Sequence, residues 1–290
     1  MKLKLFSTGR FFSPSSINVQ QGDETMKRSI ALLVLLFWCL SISAGMAADV
    51  VTCWFPPGKS MDQAKAVATA LSQGTGVEVK PRIASNYAEI LDAFASREMN
   101  LVYVGSFVQT IIMSRKLGKP LVQNVDGNEL YAGIMIHKIG QDPQTILSTS
   151  PTAIAYALGA TSGESVAKAA TAGKAAVGVN SHAAAVDAVL AGKAQAAVVK
   201  DGWWKGNQAK YPGYTAYAIP KVSEKKNPDN VLTASVAVPA GLAEKLKAAA
   251  INGSASFGPN AVMKPFAASS LNFSLGLMMQ AKIDPLTYKW

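Results

Sequence analysis

Thr161, Ser162 and Gly163 stand together just after an apolar stretch and at the start of a helical one. Backbone N–H groups in the first turn of a helix lack partners and point out of its end, where the helix dipole favours negative charge. Two adjacent hydroxyls add donors, and the glycine lets a ligand come close. The chemistry this triplet supports is the holding of an oxyanion. Gly105-Ser106, Ser60 and Ser181-His182 repeat the pattern more weakly. Any one of them alone is an ordinary helix cap. Several along one sheet edge would make an anion site.

Other residues could join it. His182 is one of two histidines, with His137. At a helix start its ring could donate to an anion, and the dipole there favours its neutral form. His137, at a strand end, reads as structural or exposed. Asp201 follows a buried-looking strand and could hold a ligand amine or merely cap the next helix. Tyr87, Tyr103, Tyr131, Trp203 and Trp204 could line a cleft or pack in a core. Enzyme signatures are missing: the chain has no Gly-x-Ser-x-Gly elbow, no Walker loop, no His-Glu-x-x-His and no paired-cysteine metal site.

The elements that would position these residues follow one rhythm of apolar strand, turn and amphipathic helix. Val50 to Phe55 reads as a strand, and Met61 to Gln73 as a helix with Ala64, Val67, Ala68 and Leu71 on one face. Val77 to Ile83 is the second strand, and Asn86 caps a helix through Phe94. Leu101 to Val104, Pro120 to Val125, Tyr131 to His137, Thr152 to Leu158, Ala175 to Val179, Ala196 to Val199 and Val231 to Val238 read as further strands. Helices are expected from Phe107 to Leu117, after Gly163, after His182 and over Leu242 to Ile251. Asp142-Pro143 and Ser148 to Pro151 read as a polar connection, and the tail from Phe257 as less regular. This alternation predicts a parallel, doubly wound α/β sheet. Crossings near Gln123–Tyr131 and Val222–Leu232 predict two lobes. Ligands in such sheets sit beyond the carboxyl ends of the strands. Those ends carry Ser60, Tyr87, Gly105, Ser106, Thr161, Ser162, Gly163, Ser181, His182 and Asp201.

The run Asn86-Tyr87-Ala88-Glu89-Ile90-Leu91-Asp92-Ala93-Phe94, then Leu101-Val102-Tyr103-Val104-Gly105, resembles the phosphate/phosphite/phosphonate-binding proteins of ABC importers. These are type II periplasmic binding proteins. The likeness continues through Tyr131, Ala160-Thr161-Ser162-Gly163, Ser181-His182-Ala183-Ala184-Ala185-Val186, the stretch Ala188 to Ala194, Asp201, Ile219-Pro220 and Asn227-Pro228, and covers about residues 49–251. The resemblance implies two lobes of open mixed sheets flanked by helices, closing on a small anion. It implies that Thr161, Ser162 and Gly163 hold the oxyanion, that Tyr87, Tyr131 and His182 line the site, and that Asp201 faces the ligand's other end. The resemblance implies a membrane ABC permease as partner, and the missing signatures leave no cofactor, no metal and no enzymatic activity expected. Ala160, Asn100, Ser106 and Ala183 depart from the family pattern, and two stretches of the second lobe are shorter than usual. A sensor of the same fold, a binder of another small organic solute and a small-molecule enzyme are the competing readings.

Residues 26–47 read as a signal peptide. Lys27 and Arg28 precede the apolar run Ile30 to Leu40, and Ser43-Ala44-Gly45-Met46-Ala47 supplies small residues for cleavage after Ala47. The run is too short to span a bilayer, which takes about twenty apolar residues. Trp38 is too bulky before Cys39 for lipoprotein processing. Residues 1–25 read as a non-native upstream extension. The expected organisation is then 48–135 for the first part of lobe 1, 136–230 for lobe 2, and 231–290 for the return to lobe 1 and C-terminal helices. Such a mature chain is periplasmic and keeps one cysteine, Cys53, so it holds no internal disulfide. Net charge is +10, of which residues 1–47 carry +3, leaving +7. The basic residues are scattered and not interleaved with aromatics, which argues against nucleic acid, and a positive field draws anions. A monomer is expected.

Overall fold

The computed structural model describes residues 50–159 and 161–290. The expected extension and signal peptide lie outside the described residues, as does Ala160.

The first sheet begins with β1 (Val50–Phe55), whose period-two burial sends Val51, Cys53 and Phe55 to one face and Trp54 to the other. Helix α1 (Met61–Thr75) lays Ala64, Val67, Ala68 and Leu71 on the first face and ends on Gly76, whose φ of 73° is the left-handed cap conformation. After β2 (Glu78–Ile83), helix α2 (Tyr87–Ala95) starts where Asn86 Oδ1 accepts from Glu89 N–H at 3.0 Å. Strand β3 (Asn100–Val104), helix α3 (Ser106–Ser114) and β4 (Gly118–Asn124) follow. The chain crosses at β5 (Leu130–Tyr131) into β6 (Gly133–Lys138), α4 (Pro143–Thr149), β7 (Ile154–Ala157), α5 (Ser162–Ala170), β8 (Val177–Val179), α6 (His182–Leu190), β9 (Ala196–Lys200), α7 (Asp201–Asn207) and β10 (Tyr214–Tyr217). It returns through β11 (Asn227–Pro228) to β12 (Val231–Ser235), α8 (Ala240–Asn252), β13 (Met263–Pro265) and α9 (Asn272–Gln280).

Two sheets result, ordered β13-β4-β12-β3-β1-β2 and β10-β6-β9-β7-β8. The two crossings pair with each other, Asn227 against Tyr131 and Pro228 against Leu130. This is the mixed α/β, two-lobed architecture expected. The purely parallel sheet is corrected. Strand β12 runs antiparallel to both β3 and β4, and β6 runs antiparallel to β9 and β10. An apolar run carries no mark of its direction. The direction of β12 follows from the return through β11.

Two further expectations change. The polar connection at Asp142-Pro143 is helix α4. Both Asp142 carboxylate oxygens accept from its first turn, Gln144 N–H at 3.2 Å and Thr145 N–H at 3.0 Å, and Pro143 sits at the first helical position. The tail is also more regular than expected, because α9 packs against α5 of the second lobe and α3 of the first. Its Leu277 and Met278, with Ile283, join a core that holds Phe107 and Ile111 from lobe 1 and Ile154 and Val166 from lobe 2. Among the described residues no helix is long and apolar enough to cross a membrane.

Candidate functional site

The starts of three helices meet between the sheets around a cavity of about 70 Å³. Gly105, Phe107 and Val108 bring the first turn of α3, Thr161 and Ser162 that of α5, and His182 that of α6. The positive ends of three helices therefore border one small volume. It would hold about five water-sized groups, the number of heavy atoms in a phosphate.

Side chains complete the lining. Tyr87 and Tyr131 enter from α2 and the crossing strand β5, and Tyr103 from β3. Burial, and next the charge of Asp229, push all three phenols well up, so each keeps its proton as a donor. Burial pushes His182 down to about 3, with the Lys200 charge acting the same way. Its ring is neutral, lies between Tyr87 and Trp203 at centroid distances of 6.4 and 5.9 Å, and leaves Nδ1 buried without a hydrogen-bond partner. Lys59 and Lys200 supply positive charge. Lys200 Nζ pairs with Asp229 Oδ2 and lies 4.7 Å from the Tyr131 ring centroid. Burial lowers Lys59 while nearby Asp229 opposes that. With a neutral imidazole, two ammonium groups face one carboxylate, and the cavity is net positive. Such a lining suits a small anion.

A family model for the phosphonate ABC transporter's periplasmic substrate-binding protein matches residues 50–270. The chain belongs to this family. Its members are the substrate-binding components of importers, working with a small ligand and a membrane permease. No curated protein matches the sequence. Among solved structures, PhnD1 from Prochlorococcus marinus in complex with methylphosphonate is similar at 13% identity and a TM-score of 0.63, covering 82% of this chain and 100% of that one. The binding protein component of an ABC phosphonate transporter from Pseudomonas aeruginosa is similar at 16% identity and a TM-score of 0.62, with 81% and 87% covered. A Xanthomonas citri protein bound to ATP is similar at 9% identity and a TM-score of 0.59, with 81% and 97% covered. These likenesses carry the type II periplasmic-binding fold.

Within this binding protein, Tyr87, Gly105, Tyr131, Thr161, Ser162 and His182 come together around the cavity. Three other expected residues lie outside the cavity's lining. Ser106 is fully buried, its Oγ lying 3.1 Å from Tyr131 Oη and accepting from Ser274 Oγ at 2.7 Å. It positions the tyrosine. Gly163 faces the sheet instead, where a Cβ would stand 2.6 Å from the Val198 carbonyl oxygen. Its role is close approach of α5 to β9. Gly163→Ala should therefore destabilise the protein by about 1–3 kcal/mol through overpacking against backbone, read as a lower urea midpoint; an unchanged midpoint would show that the helix can shift freely. Asp201 lies at the wider mouth outside the cavity, with Oδ1 accepting from Gly202 N–H at 2.8 Å. The hydroxyl of Thr161 is also engaged: it donates to Ala157 O at 2.6 Å and accepts from Glu164 N–H. That leaves Ser162, at the same helix start, as the hydroxyl open to a ligand.

The remaining candidates resolve simply. Ser181 Oγ caps Ala184 N–H at 3.1 Å, while Ser60 is exposed and makes no side-chain cap. Trp203 lines the mouth, and Trp204 stacks on Tyr211 in the core. His137 is buried, with Nδ1 3.1 Å from Lys138 O. Lys59, Lys200 and Asp229 were missed. The strand-end rule came within one residue of both lysines, at Ser60 and Asp201, where polar caps drew the reading. Asp229 lies on the return crossing, beyond any strand end of the second sheet. Gly105 has to be small for it: a Cβ there would stand 3.1 Å from Asp229 Oδ1 and 3.1 Å from the Tyr131 ring. Among the described residues no group of three or more His, Cys, Asp or Glu is placed to hold a metal ion.

Proposed function

We propose that this protein captures a small phosphorus oxyanion, of the phosphate, phosphite or short phosphonate class, in the interlobe cavity. It does so as a periplasmic monomer after cleavage behind Ala47. The observation that carries this reading is the convergence of three helix starts and three protonated tyrosines on a net-positive cavity of about 70 Å³. The methylphosphonate complex of PhnD1 supports it as a likeness of fold. The paired crossings β5 and β11 would act as the hinge, so that ligand in the cavity holds both lobes and presents a closed surface to the permease.

A thermal-shift screen of the chain starting at Ala48 tests this. With phosphate, phosphite, methylphosphonate, sulfate and taurine at millimolar concentration, a micromolar binder stabilises by about 4 kcal/mol. A shift with a phosphorus oxyanion and not with taurine is expected. No shift with any anion would overturn the reading and turn attention to the mouth of about 580 Å³, which could admit a larger organic solute. Ser162→Ala should weaken binding by about 1–3 kcal/mol, the worth of a charge-assisted hydroxyl bond. Unchanged titration calorimetry would remove Ser162 from the site. A turnover lost in both His182→Ala and Asp201→Ala would instead favour an enzyme.

A further inference from the structure

The cavity holds one carboxylate, Asp229, and that carboxylate is already taken. Asp229 is 6% exposed and pairs with Lys200 Nζ, while Lys59 stands close enough to feel its charge. Lys200 is itself fixed: its ammonium lies over the Tyr131 ring, and its backbone closes β9 against Gly133 of β6. A ligand carrying its own ammonium would find the cavity's one carboxylate already paired and two like charges beside it. The mouth offers no better place. Its other carboxylate, Asp201, bonds its neighbour's N–H and shares the mouth with Lys200, Lys205 and Lys225.

We infer that Lys200 is a specificity-determining residue: its ammonium fills the one acidic position of the site, so the protein takes phosphorus oxyanions whose substituent bears no ammonium and rejects aminophosphonates. This rests on the oxyanion reading above and names the substrate class within it. The device is a repulsive one. Like charges a few ångström apart in a partly buried site discriminate more than a lost contact does.

Ethylphosphonate and aminomethylphosphonate have the same heavy-atom shape and differ by the ammonium, so their relative affinity isolates the charge. Titration calorimetry of the mature protein should show ethylphosphonate binding at least about tenfold tighter. In Lys200→Met, which keeps the stem and removes the charge, aminomethylphosphonate should gain at least about tenfold relative to ethylphosphonate, because Asp229 is released to accept it. Lys200→Arg should keep the wild-type preference. If Lys200→Met does not fold, Lys200→Gln is read in its place. Equal affinities in the wild type, including equal rejection beside a methylphosphonate that binds, overturn the inference alone. So does a preference that Lys200→Met leaves unmoved. Failure of phosphate, phosphite and every phosphonate to bind overturns the oxyanion reading and the inference with it.

Discussion

Between pH 6.5 and about 3, the mature protein should lose about 1.4 kcal/mol of stability for each unit of acidification on account of His182 alone. In the unfolded chain this imidazole takes its proton near 6.5, whereas burial in the fold delays that to about 3. Over that window the unfolded state binds one more proton than the native state, so stability rises with pH and falls as pH drops. The full contribution, about 5 kcal/mol, is present above pH 6.5. The cause lies in the packing: the ring is 7% exposed, tilted between Tyr87 and Trp203, and its buried Nδ1 has nothing to share a proton with. Urea denaturation at intervals from pH 7 to 5 checks this, since carboxylates add little there. The slope should be present in the wild type and absent in His182→Gln. The same slope in both would mean that the imidazole charges in place. Ligand binding should show no His182 titration between pH 6 and 8, because the ring is neutral throughout.

Removing residues 284–290 should cost about 3–5 kcal/mol of stability and loosen the arrangement of the lobes. The tail is a strap across them. Arg115, which caps the C-terminus of α3, donates from Nε to Pro285 O at 2.8 Å and from its guanidinium to Tyr288 O, and its charge lies 4.5 Å from the Trp290 ring centroid. Trp290 Nε1 donates to Asp92 of α2 at 2.6 Å. All of these anchors are in lobe 1. Tyr288 Oη then donates to Glu164 of α5 at 2.5 Å and accepts from Gly159 N–H at 3.1 Å, both in lobe 2. Glu164 is 1% exposed and also pairs with Lys168 at 2.6 Å, so losing the phenol leaves a buried carboxylate with less support. The charge-assisted bond to buried Glu164, about 1.5–3 kcal/mol, and a cation–π contact of about 0.5–2 kcal/mol make up most of the expected loss, since water replaces the partners of the more exposed bonds. The truncated protein should melt lower, and small-angle scattering should show a larger radius of gyration. A truncated chain with unchanged melting and radius would leave the strap without a role in holding the lobes. Because Glu164 lies two residues from Ser162, loosening should also weaken the oxyanion site.

Some of the chemistry was readable residue by residue. Asn86, Thr161 and Ser181 cap α2, α5 and α6 through their own side chains, and the apolar spacing of α1 appears as its buried face. These effects act within three or four residues, so the sequence displays them directly. The same locality explains why Asp142-Pro143 could have been read as the helix start it is. Ser106, Gly163 and Asp201 were placed in the site by the same reasoning, because a polar or small residue at a helix start looks alike whether it faces a ligand, a tyrosine or a strand.

By itself the sequence determined the alternation of strands and helices, the two crossings, and the helix starts at Gly105, Thr161 and His182 whose amides can hold an anion. It also carried enough of the family's order of motifs for the importer role to be read. Only the tertiary structure decided that β12 enters antiparallel, that Ser274 reaches back over 168 positions to Ser106, and that Lys200 meets Asp229. Those meetings depend on how the chain crosses twice between lobes. No local periodicity or cap records a partner so far away, and the charge of the cavity is a sum over residues that only the crossings bring together.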